Sequence, residues 1–467
     1  MKFGQWLPDL DDYGHDGLVV ARNVFATAQG YAPVKAYSAV TDTLPDTYRG
    51  GGSFRGVDGT TAILIGTDAG LYDYTSGWVL AVSGSYSNPW RFTQFGDLAI
   101  AVQGGAPLKY TISSATGATL GGSPPNATLV TAAGDFVVMS GVDSANSTVY
   151  WSGINNAESW TPGTGQSDTQ VLPDGGEVTG LAGGEYMLVF QREQVWRGQY
   201  SGPPTIFQFD KVLRGVGCIA PGSIAQAGRT VYFISQRGFC SFTDGALATI
   251  GASRVDKTFF GLYSVAEVRA NVSCTVDPYR KIVVWAMPDR LWIYNWELDR
   301  WSDVATTVFA VASGMTRSYT FDDIATLYPS GMETVPGSFD DPKWAGGEPF
   351  LLLAANDGTL GSFGSMSSLA GELKTAFFEP ARGRDIRIRA ARIDTDATTG
   401  VTLSLDSKKL LGGSLTASNS NTIRGNGDTP IRASGRYIQA GIAFDAGANW
   451  NYAQGIDLVG ASAGGRQ

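Results

Sequence analysis

One histidine stands in the whole chain, His15, with Asp11, Asp12 and Asp16 around it. A Ser-His-Asp relay would use such an imidazole to take the serine proton, with a carboxylate to orient the ring. No G-x-S-x-G elbow accompanies it, so His15 reads as a solvent-exposed turn residue. A lone histidine also rules out a histidine-based metal site. The acid clusters offer oxygen ligands for calcium, but no EF-hand loop spaces them, and they read as solvated loop acids. Glycosidic hydrolysis needs two carboxyl groups facing one pocket. Asp174, Glu177 and Glu185 fall near one boundary between repeated units, and nothing in their spacing pairs them. Cys218, Cys240 and Cys274 are odd in number, far apart and without a CxxC; they read as buried small hydrophobes. Glycine strings at Gly50-Gly51-Gly52 and Gly464-Gly465 lack the lysine or helix of a phosphate loop. The expectation is a non-enzymatic chain with no catalytic, cofactor-binding or metal-binding residues.

The densest basic run is Arg382, Arg384, Arg387, Arg389 and Arg392. It suits phosphates or an acidic partner, or else the charged solvent face of a protected edge strand, which is the simpler reading. The chain as a whole is acidic, with 34 basic against 43 acidic residues and a net charge of −9. That balance opposes clamping of DNA or anionic membranes, yet leaves room for a wall past which DNA slides. Met1 to Leu10 has no apolar core of signal-peptide length, and apolar stretches stop far short of a membrane span. Asn126, Asn146 and Asn271 open Asn-x-Ser/Thr triplets that read as chance.

The elements that must carry these residues are strands. The chain has 467 residues, 61 of them glycine and 20 proline, without a collagen period. Such glycine content suits many tight turns. A short apolar run followed by a turn and a second short strand recurs: Thr61 to Gly66, Asp97 to Gln103, Asp135 to Ser140, Glu185 to Gln191, Arg229 to Ser235, Arg280 to Ala286 and Pro349 to Ala355. Starts of the second to sixth runs lie 38, 50, 44 and 51 residues apart, the length of a four-stranded propeller blade. The runs are too short for helices, rich in Val, Ile, Phe and Tyr, and apolar on both faces, as when neighbouring blades pack on them. The spacing predicts an all-β chain with a six- or seven-bladed β-propeller over 46–365. A series of β-sandwiches is the competitor. A polar insertion near 316–348, with Asp322-Asp323 and Asp340-Asp341, reads as a partner-contact loop. Residues 366–467 alternate as in Asp385 to Asp394 and predict a small β-sandwich-like domain. Residues 1–45 read as an N-terminal extension that wraps along the propeller or reaches a neighbouring subunit.

Several segments, in order, resemble the tail nozzle proteins of short-tailed bacteriophages, also described as tail tubular or packaged-DNA stabilisation proteins. They are Phe3 to Leu10 (FGQWLPDL), Arg22-Asn23-Val24, Gly30 to Pro33, Val149 to Trp160 (VYWSGINNAESW) and Leu172 to Gly176. They continue through Gly183 to Tyr186 with Gln191, Val195-Trp196, Gly202 to Pro204, Phe207 to Asp210, Gly215 to Gly222 and Gln236 to Phe239. Val276 to Pro278, Trp292 to Trp296 and Asp299 to Ser302 complete a stretch covering most of 1–305; beyond it only Trp450 and Ala453 to Asp457 look familiar. The resemblance implies a propeller platform and a homo-hexamer below a portal and its adaptor ring, in the tail of a virion. It implies double-stranded DNA passing the common centre without sequence-specific binding, contacts to fibres, spikes or a needle, and a gate held until ejection. The channel wall is then expected to be negative or neutral, and Trp344 and Phe350 are candidates for subunit contacts. Two alternatives remain. One is a receptor-binding, glycan-binding tail propeller touching the host surface. The other is a glycan-cleaving tail enzyme, for which Phe444 to Trp450 has a single faint likeness to the sialidase Asp-box hairpin.

Overall fold

A computed structural model describes the chain except residues 75–76, 317–330, 332–345, 366, 418–419, 425–426, 460–461 and 464–467. Most of the predicted insertion, including Asp322, Asp323, Asp340, Asp341 and Trp344, therefore lies outside the described residues, as do Gly464 and Gly465.

The recurring hairpins become the middle of seven four-stranded antiparallel units among the described residues. Blades one to five occupy 48–83, 91–119, 129–171, 178–214 and 225–249, each built of strands in sequence order. Blade six occupies 273–305. Blade seven takes Val308–Met315, Pro349–Ala355 and Leu360–Ser362, and its fourth strand is Ser38–Ala39 from the N-terminus. The β-propeller fold, all-β with a sandwich-like addition, is thus present, and the series of separate sandwiches is not.

Each apolar run is the second strand of its blade. Phe136–Ser140, Met187–Gln191 and Ile282–Met287 are buried along their whole length. Both faces meet apolar neighbours because the blades stack face to face. Val102, Met139 and Trp160 pack between blades two and three, and Phe136, Trp151 and Val189 between three and four. Leu188 and Phe233 pack between four and five, Val284 and Leu353 between six and seven. Ile65 and Leu352 pack between one and seven, which closes the ring. The innermost strands precede the runs and are less apolar. That of blade one, Tyr48–Arg55, contains three glycines. At Gly50 (φ +149) a Cβ would stand 2.5 Å from the Trp90 carbonyl oxygen, so the close approach of blades one and two requires glycine there.

The rest of the chain forms a two-layer sandwich. One layer contains Leu18–Arg22, Gly371–Thr375, Tyr437–Phe444, Val401–Lys408 and Asn421–Thr422. The other contains Val24–Thr27, Gly30–Pro33, Ala453–Val459, Ile386–Thr395 and Asp428–Gly435. Ile388, Leu403, Ile442 and Ile456 fill the space between them. Residues 1–45 thus supply three sandwich strands and the closing strand of blade seven. Leu18–Arg22 also lies parallel to Arg300–Ala305, the outer strand of blade six, so one nine-stranded sheet runs from propeller into sandwich.

Two short helices, α1 (Asp256–Leu262) and α2 (Val265–Asn271), join blades five and six. The Asp9 carboxylate accepts the backbone N–H groups of Lys257 (2.8 Å) and Thr258 (2.7 Å) at the start of α1. Helix α2 opens with a reciprocal Ser264–Glu267 capping box. No helix among the described residues is long and apolar enough to cross a membrane.

Candidate functional site

The innermost strands of the propeller enclose a polar space. A cavity of about 520 Å³ is walled by the innermost strands of the blades and by the end of α2. Three charged side chains line it: Arg49 on blade one, Arg91 on blade two and Arg269 on α2. No aspartate or glutamate is among its described lining residues. The capping box fixes α2, and α2 carries Arg269 to the axis, where Nη2 donates to Glu177 Oε1 at 2.6 Å. Glu177 also meets Arg192 Nε at 3.3 Å. Arg49 Nη1 donates to the Ser87 carbonyl at 2.9 Å. Burial holds the Arg91 guanidinium below its ordinary pKa. Cys218, nearby and fully buried, is pushed up to about 11 by burial, with Arg91 and Arg269 both pulling it back. Cys274 lines the same cavity, and burial raises its thiol well above the ordinary range. These thiols are held protonated and are poor nucleophiles. All three cysteines are free.

The residues singled out by type and spacing do other work. His15 is half-buried rather than fully exposed. Its Nδ1 accepts from the Gly17 N–H (3.0 Å) and its Nε2 donates to the Asp11 carbonyl (2.8 Å), so both ring nitrogens are spent on one turn. The acid candidates are not brought to one pocket. Asp174 meets Lys211 at 3.4 Å, Glu185 meets Arg229 at 3.2 Å, and Glu177 is shared by two arginines. The segment Phe444 to Trp450 closes a sandwich layer: Trp450 is buried and stacks on Phe444, ring centroids 3.9 Å apart. Phe350 is half-buried between blades one and seven, within a strand and not on an open loop. Among the described residues no three His, Cys, Asp or Glu side chains gather to hold a metal.

The arginine run lies on Ile386–Thr395 and the loop before it. This strand is paired on both sides, by Asp428–Gly435 and Ala453–Val459, so it is an interior strand and not the expected edge. Alternation is as expected: Ile386 and Ile388 are buried, Arg387 and Arg389 exposed. Arg392 is neutralised by Asp428 at 2.8 Å. Arg49, Arg91 and Arg269 were not legible as a group. They are scattered in sequence and meet only because the ring brings blade one, blade two and α2 to one axis.

No family model and no curated protein matches the chain. Solved structures align with the chain only at low similarity. The extracellular domain of a proposed one-component system from B. thetaiotaomicron aligns with 9% identity and a TM-score of 0.43, over 79% of this chain and 44% of that one. A chain of the Mitotic Checkpoint Complex aligns with 12% identity and a TM-score of 0.42, over 72% of this chain and 96% of that one. This chain therefore spans less than half the length of the first, and likenesses so distant leave function to its own residues.

Proposed function

We propose that the chain is a structural virion protein, the tail nozzle of a short-tailed bacteriophage. Six copies form a ring below the portal and its adaptor proteins and extend and gate the channel through which double-stranded DNA leaves. The observation that carries this reading is where the nozzle-like segments meet. Trp6 of FGQWLPDL lies 5.6 Å from Trp292 of the WIYNW segment. Trp301 of the DRWS segment donates to the Ile250 carbonyl at 3.0 Å and stacks at 5.7 Å on Trp285. Asp299, beside it, takes Arg254 at 2.5 and 2.7 Å. Farther round the ring, Gln191 donates to the carbonyls of Leu172 (3.1 Å) and Gly176 (2.8 Å) and accepts from Trp196 Nε1 at 2.7 Å. These contacts form two physical units, one tying the N-terminus to blade six and one fixing the linker between blades three and four. A chain whose terminus is sewn into both of its parts suits a ring that must stay rigid under the pressure of packaged DNA.

The test is assembly. Native mass spectrometry of the purified chain mixed with a portal–adaptor complex should show six added copies per complex. A chain that stays unbound at all concentrations, and instead binds host glycans, would move the receptor-binding reading forward.

A further inference from the structure

We propose that the axial cavity of the propeller is a binding site for a small polyanion, a free molecule bearing two or more carboxylate or phosphate groups. The inference stands apart from the nozzle reading and concerns the axis of one propeller, not the shared centre of the ring.

The chain carries a net charge of −9, yet among the described residues the charged groups lining this cavity are three arginines. Like charges gathered in a partly desolvated space repel one another, and each is stable there only if partnered. Their partnering is incomplete. Arg269 Nη1 is buried without a hydrogen bond to the chain, and so is Arg49 Nε. Arg91 has no carboxylate within 4 Å among the described residues. Its guanidinium sits in the wall beside Gly222, where a Cβ would stand 3.4 Å from Nη2. Glu177 cannot neutralise the group, because it already serves Arg269 and Arg192. Buried donors of this kind are normally satisfied, and guanidinium forks match oxyanions in a bidentate manner.

Size agrees. About 520 Å³ falls within the span of roughly 300–1,000 Å³ typical of small-molecule pockets, and exceeds what one inorganic phosphate fills. A second cavity of about 340 Å³ shares Pro89, Arg91, Leu129, Pro221 and Arg269 with the first and adds Asn88, Asn146 and two carboxylates, Asp143 and Glu177. Asn271 and the glycine strand at 50–52 also line the wall.

Isothermal titration calorimetry of the full chain with pyrophosphate and with citrate, at ionic strength fixed with sodium chloride, tests the site. One saturable site is expected for at least one of the two, weakened tenfold or more by Arg91→Gln and by Arg269→Gln. Arg384→Gln, in the exposed loop before Ile386–Thr395, should leave binding unchanged. A readout on the unaltered protein guards against misfolded variants: the bound anion should raise the midpoint of thermal unfolding in a concentration-dependent way. Absence of saturation, equal loss in Arg384→Gln, or a thermal midpoint indifferent to both anions would overturn the proposal.

Discussion

Blades two to five and the pair formed by blades six and seven solve the same problem in different ways. Each of the former is four consecutive strands that fold on themselves and then stack. Blades six and seven are finished by distant chain: Leu18–Arg22 extends blade six into the sandwich, and Ser38–Ala39 supplies the last strand of blade seven. The packing differs accordingly. Clusters between the early blades are small and mixed, whereas around blade six four tryptophans (Trp6, Trp285, Trp292 and Trp301) meet Phe239 and Phe259 in one continuous core. Local closure costs little loop entropy; joining residues nearly 300 positions apart costs more and is offset by a larger aromatic core.

The comparison can be broken most severely by removing residues 1–45. Blade seven then lacks its fourth strand and the sandwich lacks three. We expect no cooperative thermal transition, read by circular dichroism, whereas a short deletion within the exposed outer strand Asp168–Val171 of blade three should leave one. Next, Trp301→Ala should cost about 3–5 kcal/mol in denaturant unfolding, and Leu188→Ala between blades four and five about 2–5. A Trp301→Ala chain as stable as the parent would deny the aromatic core its role.

Electrostatics sharpens the same contrast. Asp303, on the strand that joins blade six to Leu18–Arg22, is buried with Oδ2 at 3.0 Å from Arg290 Nη1 and 3.7 Å from Arg22 Nε. Asp303→Ala strands these cations, and a loss of about 3 kcal/mol is expected, the low end for buried pairs because Arg22 is partly exposed. Burial pushes the Asp303 carboxyl up to about 6, against the pull of Arg290 and Arg22. The folded chain then holds this proton more tightly than the unfolded chain does. Its contribution favours folding as pH falls from about 6 towards 4, by up to about 3 kcal/mol, and is lost as pH rises through about 6. Asp256, also raised to about 6 by burial, acts in the same direction. Asp299, held low mainly by Arg254, opposes them only below the ordinary aspartate range. Urea unfolding at pH 5 and 7 should show the gain in the parent and a smaller one in Asp303→Asn. The smallest effect belongs to the early blades: Lys109→Ala removes an exposed pair with Glu158 at 2.7 Å and should cost about 0–1 kcal/mol.

The same contrast explains what the sequence could reveal. Runs such as Asp135 to Ser140 are legible because burial on both faces selects Val, Phe and Met in short strings. Innermost strands are less so: Tyr48–Arg55 is glycine-rich and Ala225–Ala227 is only three residues long. Leu18–Arg22 and Ser38–Ala39 resist reading because their partners lie 281 to 357 positions away, and a two-residue strand such as Ser38–Ala39 has no period at all. Arginines 387 and 389 were correctly placed on an exposed face, but edge position depends on Ala453–Val459 arriving from the far end of the chain. Individual acids such as Glu177 were visible; the axial arginines, one per distant segment, were not.

Quantitative mass spectrometry of gradient-purified virions tests the nozzle proposal most directly, by counting this chain against the portal protein. About half as many copies as portal is the predicted result, as a six-fold ring on a dodecameric portal requires. A chain absent from the particles, or present in a ratio that no ring on the tail axis can satisfy, would contradict it.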